Sequence, residues 1–202
     1  KLTEGDFLFD LGILPNRAHD LLSHQGIAKE LSGLLGISFK DPTSLYKIPE
    51  SKPTNLKVEI MGESCRRYSA RIIRNVKVGP SPEWVVKHLE SIGQRSINNI
   101  VDATNIVMYD CGQPTHAFDL KKLVSEKIVI RNAEANTELP VVGREGIVAK
   151  LLGTDLVITD GEKNLALGGV KGGLDSGISD DTCDIVIEVA NFNPIAVRKT
   201  AR

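Results

Sequence analysis

Four clusters of polar residues have types and spacings that could do chemistry. His116 stands in the run GQPTHAFD, two residues after Pro114 and three before Asp119. An imidazole in a loop between a helix end and a strand start can hold a polar group of a substrate or relay a proton near neutral pH. The alternative is a histidine satisfied by its own turn. Gly168, Gly169, Gly172 and Gly173 form two glycine pairs in LALGGVKGGLDSG. Such pairs free backbone N–H groups and permit positive φ, which suits close approach to a carbonyl or phosphate. Neither the Gly-Lys-Ser/Thr ending of a P-loop nor a Rossmann spacing is present, and a tight irregular turn accounts for the pairs equally well.

Glu188 interrupts DIVIEVANF, on the strand face it shares with Val186 and Ala190. A carboxylate on so apolar a face is unfavourable unless something pairs with it. A substrate hydroxyl or an arginine could do so, and an edge strand facing water would remove the difficulty. In NNIVDATN, Asn99, Asp102, Thr104 and Asn105 are polar groups on an otherwise apolar helix. They could line a pocket beside His116, or they could serve as caps and solvated surface. No nucleophile elbow accompanies these residues, so no serine or cysteine triad can be assembled from chain order.

Positioning such groups requires strands and helices, and the hydrophobic periodicity predicts both. Phe7–Pro15 reads as a short strand. Ile27, Leu31, Leu34 and Leu35 recur at helical spacing, with Gly36 suited to the C-terminal cap. Residues 41–55 are rich in Pro, Ser, Lys and Thr and read as a linker. Leu56, Val58 and Ile60 alternate, as do Tyr68, Ala70 and Ile72, with arginines on the opposite face. SPEWVVKHLESIG predicts a helix capped by Ser81, with Pro82 at its first position and Gly93 at its stop. A second helix is expected over about 98–110. Past Gly112 come short β-branched runs, among which DLVITD and NLALGG read as a hairpin closed through Gly161 to Lys163. Asn193 then caps a final helix that opens with Pro194. The fold class predicted is α+β: a mixed β-sheet core with flanking helices, plus a small N-terminal helical piece.

Bulk properties narrow the function. The 202 residues are 41% hydrophobic, enough for a core. Twenty-five basic against 26 acidic side chains leave a net charge of -1, unlike a domain whose sole task is gripping nucleic acid. Cys65, Cys111 and Cys183 are odd in number and far apart, so neither a disulfide framework nor a cysteine zinc site is expected; they read as reduced, mostly buried thiols of a cytoplasmic protein. No apolar run approaches membrane-spanning length and no signal peptide opens the chain. Starting at Lys1 and stopping at Arg202 within a helical run, it reads as an excised piece of something longer.

Taken in order, LPNRAHDLLSHQGIAKELSGLLG, RYSARIIRNVKVGPSPEWV, INNIVDATNIV, GQPTHAFD, LALGGVKGGLDSG and IVIEVANFNPIAVRKTAR resemble the beta subunit of bacterial phenylalanyl-tRNA synthetase, collinearly and over most of the chain. The resemblance implies that residues 1–40 are the returning part of a small helical module and that 56–202 are the editing domain (the fused third and fourth modules), truncated at its C-terminal helix. It implies hydrolysis of tyrosine wrongly esterified to tRNA(Phe). Glu188 would accept the tyrosine phenol's hydrogen bond, and backbone groups of Gly169 and Gly172 would help seat the ring. Thr104, Asn105 and His116 would hold the ester end and position water. The implied partners are tRNA(Phe) and the alpha subunit, with no membrane and no DNA. No metal or cofactor is expected in the site, since ATP and magnesium belong to aminoacylation in the intact enzyme.

Such a site answers a physical need. An apolar pocket built for phenylalanine rejects an added hydroxyl only weakly, by about a hundredfold. A second pocket that demands the hydroxyl inverts the preference, because an unpaired buried acceptor costs roughly 1–3 kcal/mol. The rival expectation is a non-catalytic module that binds tRNA or the alpha subunit, with Glu188 on an open edge.

Overall fold

The computed structural model describes Gly5, residues 7–143 and residues 146–202. Residues 1–4 and 6 of the expected helical module lie outside the described residues. The chain is α+β and divides into two compact units, each assembled from two stretches. The first holds the described residues up to Pro53 together with Ser81–Gln113; the second holds those of Thr54–Pro80 and Pro114–Arg202.

Helices build the first unit: α1 (Ala18–Leu21), α2 (His24–Leu35), α3 (Glu83–Ser91) and α4 (Asn99–Cys111). Ser23 caps α2 by accepting from the Gly26 amide at 3.0 Å, and Gly36 closes it at φ 64° as expected. Gly26 is obligatory, because a Cβ there would stand 1.9 Å from the Asp20 carbonyl oxygen. Asn98 caps α4 by accepting from the Ile100 and Val101 amides. Ser81 does not cap α3. Its hydroxyl donates instead to Asp102, which is fully buried and also accepts from Ser96 and the Ile97 amide. Burial opposes the Asp102 charge, but these three bonds outweigh it and hold the carboxyl below its ordinary range. Asp102 thereby ties the entries of α3 and α4 together.

The expected strand over Phe7–Pro15 is absent. Residues 7–14 have no regular structure and a single 3-10 turn follows at Pro15–Arg17. An apolar run alone does not make a strand without a neighbour to accept its ladder.

The second unit is a set of sheets around two hydrophobic clusters. Its strands are β1 (Lys57–Ile60), β2 (Cys65–Ile73), β3 (Thr115–Asp119), β4 (Lys127–Asn132), β5 (Glu138–Pro140), β6 (Val148–Lys150), β7 (Leu156–Thr159), β8 (Asn164–Leu167), β9 (Lys171–Gly172) and β10 (Ile185–Phe192), with the helix α5 (Pro194–Thr200) last. One sheet runs β1-β4-β7-β8-β9 and another β2-β10-β3, while β5 and β6 form a separate pair. The larger sheet is mixed as expected: β1 runs parallel to β4 and its other pairings are antiparallel. Asp160 closes the β7–β8 hairpin by accepting from the Glu162 and Lys163 amides. Phe118, Val186 and Tyr68 from the smaller sheet share a core with Ile128, Ile130, Leu156, Ile158 and Leu165 from the larger. Asn193 caps α5, and Thr200 anchors it by accepting from the Leu156 amide at 3.0 Å.

Candidate functional site

The smaller sheet of the second unit carries the site. Its middle strand, β10, pairs antiparallel with β2 on one side and β3 on the other. Glu188 sits midway along it, opposite Ala70 on β2 and His116 on β3. The edge-strand alternative is therefore excluded: Glu188 lies on a central strand and is 8% exposed. Period-two alternation places Tyr68 and Ala70, Val186, Glu188 and Ala190, and His116 and Phe118 on one face. His116 is part of β3 itself rather than a loop, and its ring packs edge-on against Phe118 at 4.7 Å between centroids.

The glycines make room for this face. A Cβ on Gly172 of β9 would stand 2.5 Å from His116 Cε1 and 2.7 Å from its Nε2, so the imidazole rests against bare backbone there. Gly169 has φ 70°, and a Cβ on it would meet Val197 and Phe192 at 2.9 and 3.1 Å. The other two glycines are needed for close packing rather than for a ligand. Gly168 and Gly173 donate their amides to the Leu156 and Leu165 carbonyls, so those N–H groups are not free as the glycine pairs suggested.

Electrostatics sets these side chains apart. Burial pushes the Glu188 carboxyl up to about 7, only partly offset by the nearby Tyr68 phenol. Burial pushes His116 down to about 4. The Tyr68 phenol is raised well above its ordinary value by burial and then by the neighbouring Glu188. Tyr68 approaches Glu188 without completing a hydrogen bond. Among the described residues, five buried side-chain polar atoms lack a partner, and three of them are Tyr68 Oη, His116 Nε2 and Glu188 Oε2. Each such orphan costs about 1–3 kcal/mol, so three on one face mark a place where a polar ligand would repair the deficit.

Four of the six residues singled out in the sequence thus belong to the second unit, and Glu188, His116 and Gly172 converge there. Thr104 and Asn105 are consecutive on α4 of the first unit, where Thr104 is buried and donates to the Val101 carbonyl at 2.7 Å. Of their companions, Asp102 serves the helix junction rather than a ligand. Tyr68 went unnoticed as a site residue, although a phenol on an inward-facing stripe signals a need for a partner. A cavity of about 500 Å³ elsewhere in the second unit, lined by Val141, Leu167, Val170, Lys171, Thr200 and Arg202 among others, includes none of the six. The unpaired polar atoms locate chemistry better than this mostly aliphatic hollow. The thiols also depart from expectation: Cys65 is buried, but Cys111 and Cys183 are exposed, and all three are free. Among the described residues no helix is long and apolar enough to cross a membrane.

Comparison with known proteins places these features in context. The B3/4 domain family matches residues 64–202. The chain is similar to the phenylalanine–tRNA ligase beta subunit of Rhodopirellula baltica, 43% identical over 204 residues, covering 100% of this chain and 30% of that one. The corresponding subunit of Thermotoga maritima is 43% identical over 196 residues, 96% of this chain and 24% of its own length. The chain thus spans 24–30% of the length of these relatives. In fold it resembles an N-terminal fragment of the phenylalanyl-tRNA synthetase beta subunit from Pyrococcus horikoshii, with a TM-score of 0.52 at 17% identity over 92% of this chain and 57% of that one.

Proposed function

The chain belongs to the B3/4 domain family, and we propose that its Glu188 site hydrolyses tyrosine misattached to tRNA(Phe), as the editing part of a phenylalanine–tRNA ligase beta subunit. The observation that carries this reading is Glu188: a buried carboxyl on a central strand, with one oxygen unpaired, beside two further unpaired polar atoms.

Such a carboxyl discriminates by absence. A tyrosine side chain brings a phenol O–H to the unpaired oxygen, whereas phenylalanine buries the carboxyl and leaves it unsatisfied. Donation by the phenol favours the ionised form, so tyrosine binding draws Glu188 down from about 7. Gly172 and Gly169 supply backbone that a side chain would otherwise cover. His116, held near 4, stays neutral at physiological pH and is a poor proton acceptor there. Its task is to orient the substrate and the attacking water through its unpaired nitrogen. Ester hydrolysis needs no covalent nucleophile, because a positioned water and a polarised carbonyl suffice. The ester-end roles of Thr104 and Asn105 belong to the same proposal. So do a cytoplasmic setting and partnership with tRNA(Phe) and an alpha subunit, while no residue of this chain is assigned to ATP or magnesium.

The test is deacylation of tyrosyl-tRNA(Phe) by the full-length subunit with its alpha partner. Wild type should clear the ester, and Glu188→Ala and His116→Ala should each slow clearance at least tenfold. Equal clearance by all three proteins would reject the site, and no clearance by wild type would favour a non-catalytic tRNA-binding module.

A further inference from the structure

We propose that His24, His88 and Asp110 bind one transition-metal ion of the zinc class. The three side chains come from three helices of the first unit: His24 opens α2, His88 lies in the last turn of α3, and Asp110 in the last turn of α4. His24 Nδ1 stands 3.1 Å and His88 Nε2 3.4 Å from the same oxygen, Asp110 Oδ1. All the candidate ligand atoms lie within 4.8 Å of one another.

These separations suit a small tetrahedral ion. Metal bonds of about 2.0–2.2 Å put neighbouring tetrahedral ligands roughly 3.3–3.6 Å apart. Both histidine–carboxylate separations are already close to that length. The two rings meet edge-on with centroids 5.2 Å apart, so a shift of about 1 Å at the rim of either ring completes the third edge. Two imidazoles and one carboxylate favour zinc, cobalt or iron over magnesium and calcium, which prefer oxygen alone. Three protein ligands leave a fourth position for water.

Two further features point to a cation. His88 Nε2 is shielded from solvent yet makes no hydrogen bond, although Asp110 Oδ1 stands only 3.4 Å away. Asp110 lies at the negative end of α4, whose last turn carries no basic residue. The helix macrodipole disfavours a carboxylate there unless positive charge sits beside it. The side chains of His24, His88 and Asp110 retain 49%, 37% and 42% of their exposure, so the cluster lies at the surface of the first unit. Bound metal would cross-link α2, α3 and α4 and stabilise the first unit by mass action. This proposal goes beyond ester hydrolysis, in which none of the three residues has a role.

The test uses the untagged full chain, stripped with chelator and titrated with zinc by calorimetry and with cobalt by visible absorption. One zinc per chain should bind, and the melting temperature should rise with zinc and fall back with chelator. His24→Ala, His88→Ala and Asp110→Asn should each weaken binding at least tenfold, whereas His19→Ala, which removes an exposed imidazole outside the cluster, should not. Metal-free melts of each variant separate lost ligation from lost fold, and Asp110→Asn preserves side-chain size if a histidine variant fails to fold. Absence of saturable binding overturns the proposal. So does binding that survives the His24 and His88 substitutions, or a cobalt spectrum with thiolate bands that disappears in Cys111→Ser.

Discussion

Glu188 and His116 stand directly opposite each other on adjacent antiparallel strands, turned into the same core and displaced in opposite directions by burial. The acid is held protonated to about 7 and the base unprotonated to about 4. Between those values both are neutral, a state in which two facing buried groups coexist without a charge.

Their effects on stability oppose each other. Glu188 titrates near 4.5 when unfolded and about 7 when folded, so its contribution is complete below 4.5 and lost as pH rises through 7. His116 moves from 6.5 to about 4, so its contribution is complete above 6.5 and lost as pH falls through 4. Between pH 4.5 and 6.5 the two slopes offset. Relative to wild type, Glu188→Gln should lose stability as pH falls across that window, by roughly 1 kcal/mol per pH unit, and His116→Asn should gain it at a similar rate. Urea denaturation at several pH values checks this, and curves parallel to wild type would contradict it.

Tyr68 tunes its neighbour. Its phenol favours the Glu188 anion, so Tyr68→Phe should raise the Glu188 carboxyl above about 7, as read by carbon NMR of labelled glutamate. Because the phenol oxygen is buried without a partner, the substitution should not destabilise the chain and should add up to about 1 kcal/mol. A lowered carboxyl value, or a marked loss of stability, would show that Tyr68 plays another part.

Gly172 sets the position of the imidazole. Gly172→Ala brings a methyl within 2.5 Å of His116 Cε1, so the ring must move. The expected result is a stability loss of about 1–3 kcal/mol together with slower deacylation. Gly169→Ala should lose a similar amount of stability, because its φ of 70° disfavours a side chain and Val197 fills the space. Unchanged denaturation midpoints for both variants would contradict the packing described.

Much of the fold was legible because its signals are local. The Asn193 cap before Pro194, the Gly36 stop and the β7–β8 hairpin each depend on residues within a few positions of one another. Where distant groups decide the outcome, local reading misled. Ser81 has the chemistry of a cap, but Asp102, 21 residues later, takes its hydroxyl. Phe7–Pro15 has the texture of a strand, but no described strand pairs with it. For Glu188, alternation identified its face and could not say whether β10 was central or at an edge, which only the pairing with β2 and β3 decides. Tyr68 was placed inward by the same alternation, yet its relation to Glu188 follows from register, Ala190 facing Tyr68 and Ala70 facing Glu188. The His24, His88 and Asp110 cluster joins three separate helices and carries no compact metal-ligand spacing.

The central claim is that Glu188 reads the tyrosine hydroxyl, and the most direct measurement is the ratio of kcat/KM for tyrosyl-tRNA(Phe) to that for phenylalanyl-tRNA(Phe), in wild type and in Glu188→Ala. Losing the matched acceptor should shrink the wild-type preference by roughly fivefold to over a hundredfold, from the roughly 1–3 kcal/mol attached to an unpaired buried acceptor, mainly through slower tyrosyl turnover. A ratio unchanged by the substitution would contradict the account, whatever happened to the absolute rates.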